Sequence, residues 1–107
     1  MTLYVNGKNI EIIECKTFYK RLKGFMFTKS KINYGLLFNR CSSIHTFFMF
    51  QPIDVILLDK NNNIIKTYEK LEKNKIILPK KNVYKVLELP INTIKYINDT
   101  HINLKEE

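Results

Sequence analysis

The chain has no tryptophan, two cysteines, three glycines and three prolines among its 107 residues, and only Arg21 and Arg40 as arginines. Each shortage removes a class of protein. Cys15 and Cys41 are too few for a disulfide framework. The start, "MTLYVNGKNI", lacks the basic and apolar regions of a secretory leader, so the expected location is cytoplasmic with both thiols reduced. Gly7, Gly24 and Gly35 are isolated, so no glycine-rich loop cradles phosphates and nucleotide hydrolysis is unsupported. The longest apolar window, residues 44–58, is broken by His45, Gln51, Pro52 and Asp54 and is too short to cross a bilayer, so no membrane partner is expected. No internal repeat, linker or low-complexity tract interrupts the chain.

What remains is an ordinary globular composition, 45% apolar and 26% charged, with a formal charge of +8. The expectation is a single globular domain over residues 1–104 and a loose tail at 105–107. The excess charge is carried almost wholly by scattered lysines, of which only Lys80 and Lys81 are adjacent. Such a surface attracts polyanions weakly and in a salt-dependent way, but it offers no basic stripe with interleaved aromatics, so no specific nucleic-acid binding is expected.

Local signals indicate a mainly β domain. "LYV", Asn6-Gly7 and "KNIEII" spell a hairpin, since Asn-Gly supplies the positive φ angles of a two-residue turn. In "TFYKRLKG", Thr17 is a natural N-cap, Phe18 and Leu22 share a face, and Gly24 can end a short helix in a left-handed conformation. "YGLLF", "HTFFMF", "IDVILL", "NIIKTY", "KIIL" and "VYKVLEL" follow as strand-like runs, the third and fourth separated by the polar turn Asp59 to Asn63. "TIKYI" reads as a helical turn or short strand and "THINL" as a last strand. The fold class expected is β-rich α+β: a small barrel or sandwich of short strands, five or six in the sheet, with one short helix after the first hairpin.

Several of these pieces occur in a fixed order: Arg21, Gly24-Phe25-Met26, Gly35-Leu36-Leu37-Phe38, then Cys41, Ser43-Ile44-His45-Thr46-Phe47 and Met49. Pro52-Ile53-Asp54-Val55, Asp59 and Val86-Leu87-Glu88-Leu89-Pro90 complete the series. From about Cys15 to about Ile97 this order resembles domain-of-unknown-function family 192, a prokaryotic family, in the branch carrying Ile-His-Thr-Phe. The resemblance implies a compact, mostly β fold and brings no established activity. The chain departs from the family in four places. Asn63 and Asn92 stand where the family usually has glycine, and asparagine is the next-best residue for a left-handed backbone. Phe50 replaces a basic residue, and the family's Gly-Asp pair near the C-terminus has no match in "YINDTHINL".

Four polar residues are candidates for a site: Arg21, His45, Asp54 and Glu88. Asp54 sits in an all-apolar strand with Ile56 and Leu58 on its own face and Val55 and Leu57 on the other, so burial threatens it either way and it needs donors or a cation. Its structural reading is a carboxylate that accepts backbone N–H bonds at a turn or pairs with Arg21; its functional reading is a preorganised acid at a pocket rim. Glu88 alternates with Tyr84 and Val86, and either faces solvent beside Lys85 or converges with Asp54 as an acid and base pair. His45 is either a satisfied core histidine or a base oriented by an acid. Phe47, Phe48 and Met49 are candidates to line the pocket. Cys41, His45, Cys15 and His101 lack paired ligand spacing, so no metal and no cofactor is expected. A Cys41–His45 nucleophile pair is a low-specificity signal, against which Cys41 reads as a small buried apolar residue.

The leading reading is a non-enzymatic binding module with a shallow aromatic and polar pocket for a small polar ligand or a protein, with no evidence for an obligate oligomer. The alternative is a hydrolase or isomerase that uses His45 with the two carboxylates. A third reading is weak polyanion binding through the lysine surface.

Overall fold

The computed structural model describes residues 1–5 and 7–105. Among the described residues nine strands, one α-helix and one 3-10 turn follow one another: β1 (Thr2–Val5), β2 (Lys8–Glu14), α1 (Phe18–Lys23), β3 (Gly35–Asn39), β4 (Ile44–His45), β5 (Ile53–Leu58), β6 (Ile64–Leu71), β7 (Ile76–Ile77), β8 (Lys85–Leu89), a 3-10 turn (Ile94–Tyr96) and β9 (Leu104–Lys105). Seven strands form one curled sheet in the order β6-β5-β8-β3-β2-β1-β9, and β4 and β7 make a separate two-stranded ribbon. The mainly β domain with a short helix after the first hairpin is thus as expected, with one or two more strands in the sheet. Among the described residues no helix is long and apolar enough to cross a membrane.

The local signals work for physical reasons. Val5 pairs with Lys8 across the first turn, where Gly7 has φ 81°; Asn6 itself lies outside the described residues. The Thr17 hydroxyl accepts the Lys20 N–H at 3.1 Å, and Gly24 closes the helix at φ 48°. Asp59 organises the β5–β6 turn by accepting the N–H groups of Asn61 and Asn63 at 2.8 and 2.9 Å, which holds its carboxyl below the usual carboxylate range. The left-handed residue there is Asn62, at φ 66°, rather than Asn63, whereas Asn92 takes the expected conformation at φ 67°. Asn74 and Asn82 are left-handed too. In a chain with few glycines, asparagine supplies the tight turns because its short side chain tolerates that region best.

Two corrections concern the ends of elements. "HTFFMF" is a strand only at His45. Phe48 sits at φ 63°, and the buried Thr46 hydroxyl accepts the Lys75 N–H at 2.8 Å and donates to the Glu72 carbonyl at 2.6 Å, which turns the run into a loop tied to the β6–β7 connection. Lys105, assigned to a loose tail, pairs with Thr2 in β9; Glu106 and Glu107 lie outside the described residues.

The sheet is covered on both faces. Val55, Leu57, Val86, Leu36 and Phe38 point to one side, where Phe25 and Ile32 of the α1–β3 segment, Met49 of the β4–β5 loop and Ile77 of the ribbon pack over them. Ile56, Leu58, Leu87 and Leu89 point to the other side, against Leu3, Val5, Ile12, Ile94 and Ile102. Every residue of β5 is therefore buried, as its unbroken apolar run requires. Gly35 permits the close packing at the sheet centre, since a Cβ there would stand 2.6 Å from Ile12 and 2.7 Å from Leu89.

Candidate functional site

Strand register decides what the two buried carboxylates can do. Glu88 lies opposite Leu36 on β3 and Val55 on β5, whereas Asp54 lies opposite Leu89. Cross-strand partners share a face, so Glu88 and Asp54 project from opposite sides of the sheet and do not converge. An acid–base pair made of the two is excluded.

Asp54 is fully buried and fully engaged. Its Oδ1 accepts the Lys70 N–H at 2.9 Å, and its Oδ2 accepts the Thr93 and Ile94 N–H groups, each at 2.9 Å. Lys70 is left-handed at φ 50°, next to a register shift between β5 and β6. One carboxylate therefore bolts a bulge of β6 and the 3-10 turn to the central strand. This is the structural reading of Asp54, with backbone donors in place of Arg21. Arg21 instead donates to the main chain at the end of β3, to the Asn39 carbonyl at 2.7 Å and the Arg40 carbonyl at 3.3 Å.

The other face holds a cavity of about 190 Å³ between α1, the loop after β3 and the ribbon. Of the candidate residues it brings together Arg21, His45, Met49 and Glu88; Asp54, Phe47 and Phe48 do not line it. The left-handed turn at Phe48 sends that ring outward, and it stacks on Phe27 at 5.6 Å. Phe50 joins the same exposed group, 6.0 Å from Phe27. Phe47 lies against the His45 ring at 5.2 Å, and its N–H donates to His45 Nδ1 at 3.3 Å. In the neutral imidazole that bond leaves the proton on Nε2.

Glu88 is the unusual member. Its carboxyl accepts the Phe25 N–H, while Oε1 is buried without a hydrogen-bond partner. Burial pushes the group up to about 7, partly offset by the Phe25 N–H. Gly24 leaves room for it: a Cβ there would stand 3.1 Å from Oε1. Cys15, close enough to feel the Glu88 charge, is pushed up to about 11, mainly by its own burial. The cavity wall also includes Cys41, whose thiol donates to the Ser43 carbonyl at 3.1 Å, and Phe38. In the sequence Gly24 reads as a helix stop and Phe38 as part of the strand-like run "YGLLF"; their place at the site follows from the packing of α1 over β8. His101 stands apart from this cavity, with Nε2 2.8 Å from the Asn61 carbonyl.

The fold and the cavity define a small curled-sheet domain with an acid buried beneath α1. The chain belongs to domain-of-unknown-function family 192, described as Uncharacterized ACR, whose family model matches residues 1–99. It is similar to UPF0127 proteins from archaea. It is 36% identical to one from Thermococcus sibiricus over 77% of this chain, 34% to one from Thermococcus kodakarensis over 74%, and 35% to one from Pyrococcus horikoshii over 75%. It spans 56% and 53% of the two Thermococcus proteins and 72% of the Pyrococcus one, so it covers about half the length of the first two. Among solved structures, a protein of unknown function from Novosphingobium aromaticivorans matches with a TM-score of 0.77 at 14% identity, over 98% of this chain and 84% of that one. A Sinorhizobium meliloti protein whose name proposes transcription regulation matches with a TM-score of 0.75 at 19% identity, over 97% and 89%. These two likenesses concern the fold alone.

Proposed function

We propose that the protein is a binding module and that the cavity beside Glu88 receives a small polar ligand. The observation that supports this most is Glu88 Oε1, a carboxyl oxygen buried at a cavity wall with no partner. A buried polar atom left unpaired costs about 1–3 kcal/mol, a cost that folds retain at sites of function. A ligand group bonded to Oε1 removes it. Two free thiols, one of them buried, accord with a reducing, cytoplasmic setting.

The test is a survey of small polar compounds by amide chemical shifts. Binders should move the Gly24, Phe25 and Ser43 amides together, and Glu88→Leu should abolish the response in a folded protein. A survey with no such response, or one indifferent to Glu88→Leu, would refute the reading. A second reading, general acid–base chemistry by Glu88 and His45, draws on the same raised carboxyl and their shared cavity. It requires turnover of a bound compound that Glu88→Gln stops.

A further inference from the structure

The cavity's charge and shape narrow the ligand further, provided that the binding reading above holds. Among the described residues Glu88 has the Phe25 N–H as partner and Oε1 has none, so in its dry position the group is held most cheaply as the neutral acid. Arg21 and Lys23 are the charged residues that share the wall. With Glu88 protonated, the wall presents two cations, the O–H groups of Glu88 and Ser43, and no anion. Arg21 commits two guanidinium nitrogens to carbonyls at 2.7 and 3.3 Å and keeps further N–H donors. Phe38, Ile44 and Met49 add an apolar stretch to a wall that Cys41, Ser43 and His45 also share. A cavity of about 190 Å³ has room for several waters or for a short chain.

From this arrangement we infer that the site takes a small monocarboxylate with a short apolar body. The Glu88 O–H donates to one carboxylate oxygen of the ligand, so that the two carboxyl groups share one proton and one negative charge. Arg21 and Lys23 balance that charge electrostatically, and the apolar stretch receives the chain. An ammonium ligand meets two cations instead. A primary amide can pair with Glu88 but does not use the positive wall.

Binding by this route requires the proton on Glu88, so affinity is coupled to its ionisation. Burial and the Phe25 N–H set where that happens. Arg21 and Lys23 of α1 share its cavity, and Cys15, just past β2, feels its charge. Cys41 and His45 face the cavity from the loop and the ribbon, and Lys85 begins the strand that carries Glu88. Cys15 stays a neutral thiol well past the range in which Glu88 ionises.

Three probes of one size separate the cases: butyrate, butylamine and butyramide, each titrated against the full chain and followed at the Gly24 and Phe25 amides. Butyrate should bind best at about pH 6 and lose about tenfold in affinity for each pH unit above about 7. Glu88→Gln, which keeps an N–H donor, should still bind butyrate but without that decline. Tighter binding of butylamine or butyramide than of butyrate would overturn the carboxylate assignment while leaving the binding site in place. Butyrate affinity that rises with pH would do the same. Silence of all three probes would overturn the carboxylate assignment, while the binding reading stands or falls with the wider survey of polar compounds.

Discussion

Glu88 makes the stability of this protein depend on pH in a way that can be worked out in advance. Its carboxyl lies near 4.5 when exposed and is pushed up to about 7 by burial in the native state. Below about pH 4.5 both states carry the proton, and the full stability is present. Between that point and about 7 the native state keeps a proton that the unfolded chain has lost, so stability falls as pH rises, by about 1.4 kcal/mol per unit. Above 7 the native state must hold an ionised, buried carboxylate, and the accumulated loss is about 3 kcal/mol. Other groups contribute slopes of their own, so the measured quantity is the difference between wild type and Glu88→Gln in urea unfolding across this range. Glutamine retains an oxygen for the Phe25 N–H, and its unpaired NH2 adds a penalty that does not vary with pH. The difference should therefore move by about 3 kcal/mol in favour of Glu88→Gln between the acid end and about pH 8, with unchanged m-values. A difference that stays within about 1 kcal/mol of constant would mean that Glu88 is not held as a neutral acid, and the carboxylate-sharing argument would fall with it.

Asp54→Asn should destabilise by about 3 kcal/mol in the same assay, because an amide cannot accept all three N–H groups and turns a donor toward at least one of them; a loss under about 1 kcal/mol would contradict the bolt assigned to Asp54. Gly35→Ala should cost about 2 kcal/mol or more, since the added methyl falls within 2.7 Å of both Ile12 and Leu89 in a packed core; a melting temperature equal to wild type would rule this out. Thr46→Val keeps the shape but strands the Lys75 N–H and the Glu72 carbonyl, and a loss of about 2 kcal/mol is expected on thermal unfolding. The two thiols should differ in alkylation rate at neutral pH, half-buried Cys41 reacting well before Cys15, which is buried and pushed up to about 11; equal rates would count against that burial.

What could be read from the sequence was set by how far apart the interacting groups lie. The Thr17 cap, the Gly24 stop and the Asp59 turn are contacts within four residues, and each appears where its residue types put it. "HTFFMF" has the composition of a strand, yet its conformation is settled by the Thr46 hydroxyl reaching Glu72 and Lys75, a tie with no signal in the run itself. Asp54 was legible as a carboxylate in need of donors, but not that Lys70, Thr93 and Ile94 would supply them. Glu88 had the same outward sign, an acid in an apolar strand, and its fate is the opposite. The β8 register against Val55 and Leu36 turns it to the face covered by α1, where the Phe25 N–H is its backbone donor. Two acids with one sequence signature are thus separated by register alone: the face closed by the 3-10 turn offers three N–H groups, and the face closed by the helix leaves an oxygen unpaired. That asymmetry, rather than the identity of either residue, is the reason to look for a ligand beside Glu88 and not beside Asp54.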